Sequence, residues 1–462
     1  MSNSGASPGA TTTGGELPTS AGQWHKRIWQ LTWPVILANI TIPLVGVADV
    51  AVMGRIPDPA YIAAVAMGSA MFSAVYWLFG FLRMGTTGLA AQAFGRGNLP
   101  EIAKIFLRAG TVGIALGIAI VLLQWPLASL LFGIFDASPE LTSLAGQYYD
   151  IRIFGAPALL LYLVELGILF GLQRTRDTLY LSVGLNVTNL ILDVVLVMGF
   201  DMGVRGVAWG TLISEWSAAA GGLVLAVRGL AQQGWKLSWP GDVWRLQQMA
   251  TLFHVSANLI LRTFFVQLPF FAGTVIATRL GEATLAAHGV LMQLFFVMTY
   301  SLDGFAHTAE TMAGYSYGAG RADQLRAATR YNAIWAMFLA LFTGLIYWLG
   351  GEWFIGLLTT STTVRGIAGE FLPWVAMAPL VCVWAFLLDG IFIGTTHITQ
   401  MRNAMIVAAL VWAGALALAF QPLGYHGVWL SMMIFMLVRS GLLAWYYPRL
   451  VGNAAAQQAA QL

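Results

Sequence analysis

Two amides and a carboxylate, Asn186, Asn189 and Asp193, interrupt an otherwise apolar stretch, LYLSVGLNVTNLILDVVLVMGF, at residues 179–200. Roughly 20 residues rising ~1.5 Å each cross a bilayer, and this stretch has that length. The spacing i, i+3, i+7 puts all three polar groups on one stripe of a helix whose other sides are apolar. A carboxylate in hydrocarbon is costly unless it has a partner or a proton, so Asp193 marks a function by default. Two amides beside it make an oxygen-rich place for a cation or a proton. The alternative is an Asp that only hydrogen-bonds a neighbouring helix.

A second polar face lies at Asp303, His307 and Glu310, spaced i, i+4, i+7. It reads as a proton relay or a contact for a cationic substrate, with His307 the group whose ordinary pKa is nearest physiological pH. The other reading is a network that keys this helix to Arg262 or Arg439. No metal site is expected, because His254, His288 and His397 lie on other segments. Glu165 and Glu215 are further carboxyls within spans, ranked lower because they lie near an interface. Arg83 is expected to snorkel to the membrane surface. Trp77, Phe154 and Tyr162 are expected to line a cavity, where rings suit flat lipophilic cations. Pro43 removes a backbone hydrogen bond and clashes with the carbonyl of Asn39, which predicts a kink in the first span. Cys382 is the single cysteine, so there is no disulfide framework and no Cys-type metal site.

These residues need a membrane to sit in, and the composition supplies one: 58% of the 462 residues are hydrophobic and only 9% charged. An ordinary soluble domain carries roughly 25% charged residues, so this is a polytopic membrane protein. A net charge of +3 is too small to point to nucleic acid. Twelve apolar segments are read at 31–53, 61–86, 105–125, 150–171, 179–200, 206–227, 250–278, 285–312, 331–350, 367–393, 400–420 and 424–447. An even number puts both termini on one side. Of the 23 Lys and Arg, 15 fall on the face of the N-terminus, 5 on the other and 3 within spans, so both termini are expected to be cytoplasmic. Residues 1–27 read as a disordered polar tail without a signal peptide, and 451–462 as a second cytoplasmic tail.

The chain also repeats itself at an interval of about 223 residues: AFGRGN (93–98) answers SYGAGR (316–321), GILFG (167–171) answers GIFIG (390–394), and GVRGVAW (203–209) answers GYHGVWL (424–430). Six-helix units of even count share one orientation, so the expected fold is all-α, with two lobes, 28–228 and 249–450, related by a pseudo-two-fold axis along the membrane normal. Residues 229–248 read as the inter-lobe linker. GxxxxGK[ST] is absent, so energy must come from an ion gradient, and no nucleophile–base pair points to an enzyme.

The segments WPVILANITIPLVGVADVAVMGR (33–55), FLRMGTTGLAAQAFGRGN (81–98), GLNVTNLILDVVLVMG, GVRGVAWGTLISE and LDGFAHTAETMAGYSYGAG (302–320) together resemble the multidrug and toxic compound extrusion (MATE) transporters, closest to the DinF-like (DNA-damage-inducible protein F) branch. The resemblance covers about residues 28–450. It implies a V-shaped pair of six-helix lobes with a central cavity, and efflux of lipophilic, cationic compounds in exchange for H+ or Na+, with no cofactor, by a monomer in the bacterial inner membrane. Carried over residue by residue, Asp49 matches an acidic residue lining the N-lobe cavity, Asn189 and Asp193 an amide and carboxylate of the fifth helix, and Thr211 a hydroxyl of the sixth. Two carboxylates in one dry pocket cannot both stay ionised cheaply, so protonation of Asp49 and Asp193 is expected to drive the cycle, with the bend at Pro43 as hinge. The family's other branch places an acid on the seventh helix, where this chain has Asn258 and Arg262 instead. Asp389 keeps a secondary site open alongside Asp303, His307 and Glu310. A flippase or exporter of a lipid-linked precursor or metabolite is the alternative, and the excess of acidic over basic residues within the spans favours a cationic or neutral substrate.

Overall fold

The computed structural model describes residues 18–53, 59–135, 138–236 and 241–459. Of the expected tail at 1–27, residues 1–17 fall outside that description and 21–27 already belong to the first helix, while the expected tail at 451–462 is helical through Ala459 and undescribed beyond it. The side chains of residues 42–51, and with them those of Pro43 and Asp49, also fall outside it. The helices of the first half are α1 (Ala21–Met53), α2 (Pro59–Trp77), α3 (Gly80–Gly95), α4 (Leu99–Leu122), a short α5 (Gln124–Phe135), α6 (Pro139–Arg152), α7 (Ala156–Gly171), α8 (Thr175–Asp193) and α9 (Gly203–Gln232). The second half holds α10 (Leu246–Arg279), α11 (Glu282–Gly318), α12 (Ala322–Leu358), α13 (Thr362–Gly394), α14 (Ile398–Leu423) and α15 (Tyr425–Ala459).

Eleven helical stretches among the described residues are long and apolar enough to cross a membrane, and α1 supplies the twelfth. α2 and α3 share one crossing, broken at Leu78–Phe79, and α6 runs through a 3-10 turn at Ile153–Gly155 into α7 to make another. The third crossing begins at Leu99 rather than 105. Asn98 caps it, its side chain accepting from the Glu101 amide at 3.1 Å, with Pro100 in the first turn. Arg108 lies inside α4, buried. It is satisfied by Glu101 at 3.0 Å and by the Val243 carbonyl at 2.8 Å. That last bond ties the connection between the halves to α4.

Glycines explain the sequence repeat. In a bilayer no hydrophobic force pulls helix to helix, and small residues that let backbones touch take its place. Gly167 and Gly171 of α7 face α3 so closely that a Cβ would lie 2.8 Å from the Arg83 carbonyl oxygen and 3.0 Å from the Ala91 nitrogen, respectively. Their counterparts Gly390 and Gly394 of α13 face α11, where a Cβ would overlap the carbonyls of Ala306 and Glu310. Gly95 of α3 meets the Tyr315 carbonyl of α11, and Gly318 of α11 meets the Gln92 carbonyl of α3. So α3 and α11 cross reciprocally and join the lobes. The third repeat starts the last helix of each lobe at Gly203 (φ 53) and Gly424 (φ 54), a left-handed conformation that favours glycine.

Gly394→Ala is expected to destabilise the protein by about 1–3 kcal/mol, the cost of overpacking, read as a lowered melting temperature in detergent. Gly366→Ala on the same helix, where a Cβ meets nothing within 4 Å, should leave it unchanged.

Candidate functional site

α8 brings its polar stripe to two neighbours. Asp193, with 0% exposure, is its last residue before a π-helical turn at Val194–Gly199. Single π turns are common at functional sites, since the extra residue re-aims side chains and loosens carbonyls. Across from it stands Gly210 of α9, where a Cβ would overlap Asp193 Oδ1. Asn189, one turn earlier, is also buried and donates to Thr211 Oγ1 of α9 at 3.3 Å, while Thr211 itself donates to the Val207 carbonyl at 3.0 Å. Asn186 turns to α1 instead, donating to Thr41 Oγ1 at 2.6 Å. The structure thus gathers Asn189, Asp193 and Thr211, with Asn186 linking the stripe to the helix that carries Asp49. The side chain of Asp49 lies outside the described residues, so its place opposite Asp193 stays an expectation from sequence. A carboxyl, an amide and a hydroxyl held between packed helices can exchange a proton or ligate a small cation.

Two more carboxyls belong to this half. Glu215 of α9 meets Arg152 at 3.5 Å, and Arg152 in turn donates to Tyr148 Oη at 2.8 Å and lies over the Phe72 ring at 4.9 Å. Arg152, its side chain 16% exposed, is a cation held between α6 and α9. Glu165 of α7, ranked low for proximity to an interface, has 0% exposure, and neither of its oxygens has a hydrogen-bond partner. Tyr162 is buried with its hydroxyl 3.1 Å from Ser182, whereas Trp77 and Phe154 are exposed.

Asp303, His307, Glu310, Asp389, Asn258 and Arg262, the candidates for a secondary polar site, separate into distinct clusters. Asp389 of α13 takes ion pairs from both Arg262 of α10 and Arg439 of α15, all three buried. Glu310 of α11 pairs across the lobes with Arg83 of α3 at 3.3 Å, and His307 Nδ1 stands 3.3 Å from each of them. The network therefore keys α11 to Arg83, not to Arg262 or Arg439. Arg83 does not snorkel: its side chain is 13% exposed and lies over Phe170 of α7 at 5.8 Å, with His307 stacked on the same ring. Asn258 of α10 belongs to a third group, donating to the His254 carbonyl and accepting from Arg402, both at 2.7 Å. Asp303, half-buried one turn from His307, lies within electrostatic range of both arginine clusters. Among the described residues no His, Cys, Asp and Glu cluster is arranged to hold a metal ion.

Removing one partner of a buried pair strands the other. Arg83→Ala is expected to cost about 3 kcal/mol, the lower end for such pairs because His307 remains beside Glu310. Adding Glu310→Gln should return more than half of that loss, a coupling that a double-mutant cycle of unfolding measurements reads directly.

Comparison with known proteins bears on the whole chain. Residues 34–195 and 259–418 match the MatE family. DNA damage-inducible protein F of Escherichia coli (strain K12) is 39% identical over 433 residues, 92% of each chain. Protein DETOXIFICATION 44, chloroplastic, of Arabidopsis thaliana is 27% identical over 441 residues, 92% of this chain and 82% of that one. Among solved structures, a MOP superfamily transporter from Pyrococcus furiosus superposes with a TM-score of 0.82 at 20% identity, over 95% of this chain and 99% of the other. The Vibrio cholerae MATE transporter VcmN in its bent form gives 0.81 at 18%, over 94% and 98%. At such identities the structural likeness speaks for the fold, twelve helices in two lobes; the sequence matches carry the membership. The chain belongs to the MatE family of multi-pass membrane transporters.

Proposed function

We propose that this transporter is an efflux antiporter that exports lipophilic cations in exchange for H+, coupled through Asp193 together with Asp49. The observation that carries the reading is Asp193 itself: a carboxyl with 0% exposure, at a π turn, beside the Asn189–Thr211 pair in a membrane-spanning bundle. Such a group is cheap to keep when neutral and costly when ionised, so binding and losing a proton changes the energy of its surroundings. A relative's name points the same way: a protein of Bacillus subtilis (strain 168), 22% identical, is called a probable multidrug resistance protein NorM.

The substrate class proposed is supported by a cavity of about 610 Å3 between α10 and α11, lined by Phe264, Phe270, Phe271, Phe296, Met292 and Gln267 among others. Its lining contains no carboxylate and no Lys or Arg, and its rings offer faces to a flat lipophilic cation. A phosphate-bearing lipid precursor would want free arginines. Arg83, Arg262 and Arg439 are each engaged by Glu310 or Asp389. The asymmetry of Lys and Arg supports both termini in the cytoplasm, and the bacterial relatives an inner membrane. We take the working unit to be a monomer.

Ethidium uptake into proteoliposomes, driven separately by a pH gradient and by a Na+ gradient, tests the reading. The expected outcome is uptake with the pH gradient alone, lowered at least about tenfold in Asp193→Asn, a loss of coupling rather than of binding. Drive from Na+ alone would make the same pocket a sodium site, and activity surviving Asp193→Asn would remove it from coupling.

A further inference from the structure

Glu165 is the buried carboxyl that the mechanism above does not use. It lies on α7, buried, and neither oxygen finds a donor. Room for it comes from α9: at Gly222 any Cβ would overlap Glu165 Oε2. Several charged side chains on the helices packed against α7 are paired with other residues. On α3, Arg83 holds Glu310; on α4, Arg108 holds Glu101; on α8, Asp177 takes Arg174; on α9, Glu215 takes Arg152; and on α11, His307 faces Arg83 and Glu310. On its own helix Tyr162, one turn earlier, has its hydroxyl 3.1 Å from that of Ser182.

An ionised carboxylate stranded in this way is among the least favourable groups a membrane protein can hold, while the neutral acid carries no such penalty. Position gives the acid a use. Gly210, which faces Asp193, and Gly222, which faces Glu165, stand twelve residues apart on α9, about 18 Å along its axis. Since α9 runs toward the face of the N-terminus, Glu165 lies between Asp193 and that face. A groove of about 570 Å3 between α8 and α9 covers the part of that interval nearer Glu165, lined by Thr188, Ser214 and Ser217 and, beside Gly222, by Leu181 and Gly221.

We propose that Glu165 is a second proton-binding site of the N-terminal lobe, exchanging its proton with the cytoplasmic face while Asp193 exchanges with the cavity. In each exchange an O–H bond of the acid breaks, the proton passes to water, and the carboxylate that remains takes a proton back before the lobe closes around it. The proposal rests on the proton-coupled reading above, and its test separates the two. A hydrophobic carbodiimide adds only to un-ionised carboxyls. In the wild-type protein in proteoliposomes, mass mapping should find the adduct at Glu165 at neutral pH, fading as the pH rises, and none at the ion-paired Asp389. Glu165→Gln should keep ethidium exchange without a gradient yet lower pH-driven uptake at least about tenfold. Absence of an adduct at every pH, or pH-driven uptake in Glu165→Gln within about twofold of wild type, overturns the proposal. Should that variant lose exchange as well, a folding defect, the wild-type labelling titration decides alone. If wild-type uptake follows Na+ and ignores the pH gradient, the proton-coupled function falls, and labelling still decides whether Glu165 carries a proton.

Discussion

Backbone-to-backbone contact at a handful of glycines sets where everything else in this protein can go. Gly95 and Gly318 lock α3 and α11 into a reciprocal crossing, Gly167 and Gly171 hold α7 on α3, and Gly390 and Gly394 hold α13 on α11. None of these seams depends on exclusion of water, which a bilayer cannot provide; they depend on distance, because dispersion falls away steeply once a gap opens. A methyl group inserted at any of them meets a carbonyl or a neighbouring backbone rather than a side chain that could swing aside. The register of four helices is fixed by shape before any polar group is considered.

That register then decides which charges meet. With α3 pressed on α11, Arg83 is carried opposite Glu310 and beside His307, and a cation that a free helix would send to the membrane surface is kept inside. Holding α13 against α11 turns Asp389 toward α10 and α15, where two arginines share it. In the second lobe, then, Asp389 and Glu310 answer to arginines. The first lobe treats its acids unevenly: Glu215 has Arg152, whereas Glu165 has no hydrogen-bond partner. Buried ion pairs are rigid and poor places to move a proton, because each ionised form stabilises the other. A lone acid is the opposite case.

Much of this was legible in the sequence for a simple reason: span length, the stripe Asn186–Asn189–Asp193 and the glycine repeats are local patterns, and local patterns survive without knowledge of partners. Apolar segments at the right lengths yielded the twelve crossings, although α4 began at Leu99 because a cap at Asn98 outweighed the charges of Lys104 and Arg108. What could not be read was every fact that depends on a distant residue. Arg83 and Glu310 are 227 positions apart, and Arg262 and Asp389 are 127 apart. Nothing near Arg83 says that its guanidinium turns inward. The π turn after Asp193 also leaves no mark in an unbroken apolar run, since Val194 to Gly199 suit an α-helix equally well. Glu165 was underrated because distance along the chain from a span's end is a poor measure of burial in a bundle.

The repeat itself explains why the lobes differ chemically while sharing a scaffold. At an interval of 223, GILFG and GIFIG superimpose glycine on glycine, yet the acids beside them are out of step: Glu165 corresponds to Leu388, and Asp389 to Leu166. One residue of offset is about 100° around a helix. The same seam therefore aims one carboxyl at Gly222 of α9 and the other at the arginines of α10 and α15. Asp193 has Leu416 as its counterpart at that interval, and Thr211, in the repeat that starts at Gly203 and Gly424, has Met432, so the second lobe has no equivalent of the α8–α9 polar stripe. Duplication preserved the contacts that fix backbone spacing, where any side chain is excluded, and left the neighbouring positions free to diverge. The consequence is a second lobe whose Asp389 and Glu310 are held by arginines and a first lobe that keeps a carboxyl, Glu165, with no hydrogen-bond partner.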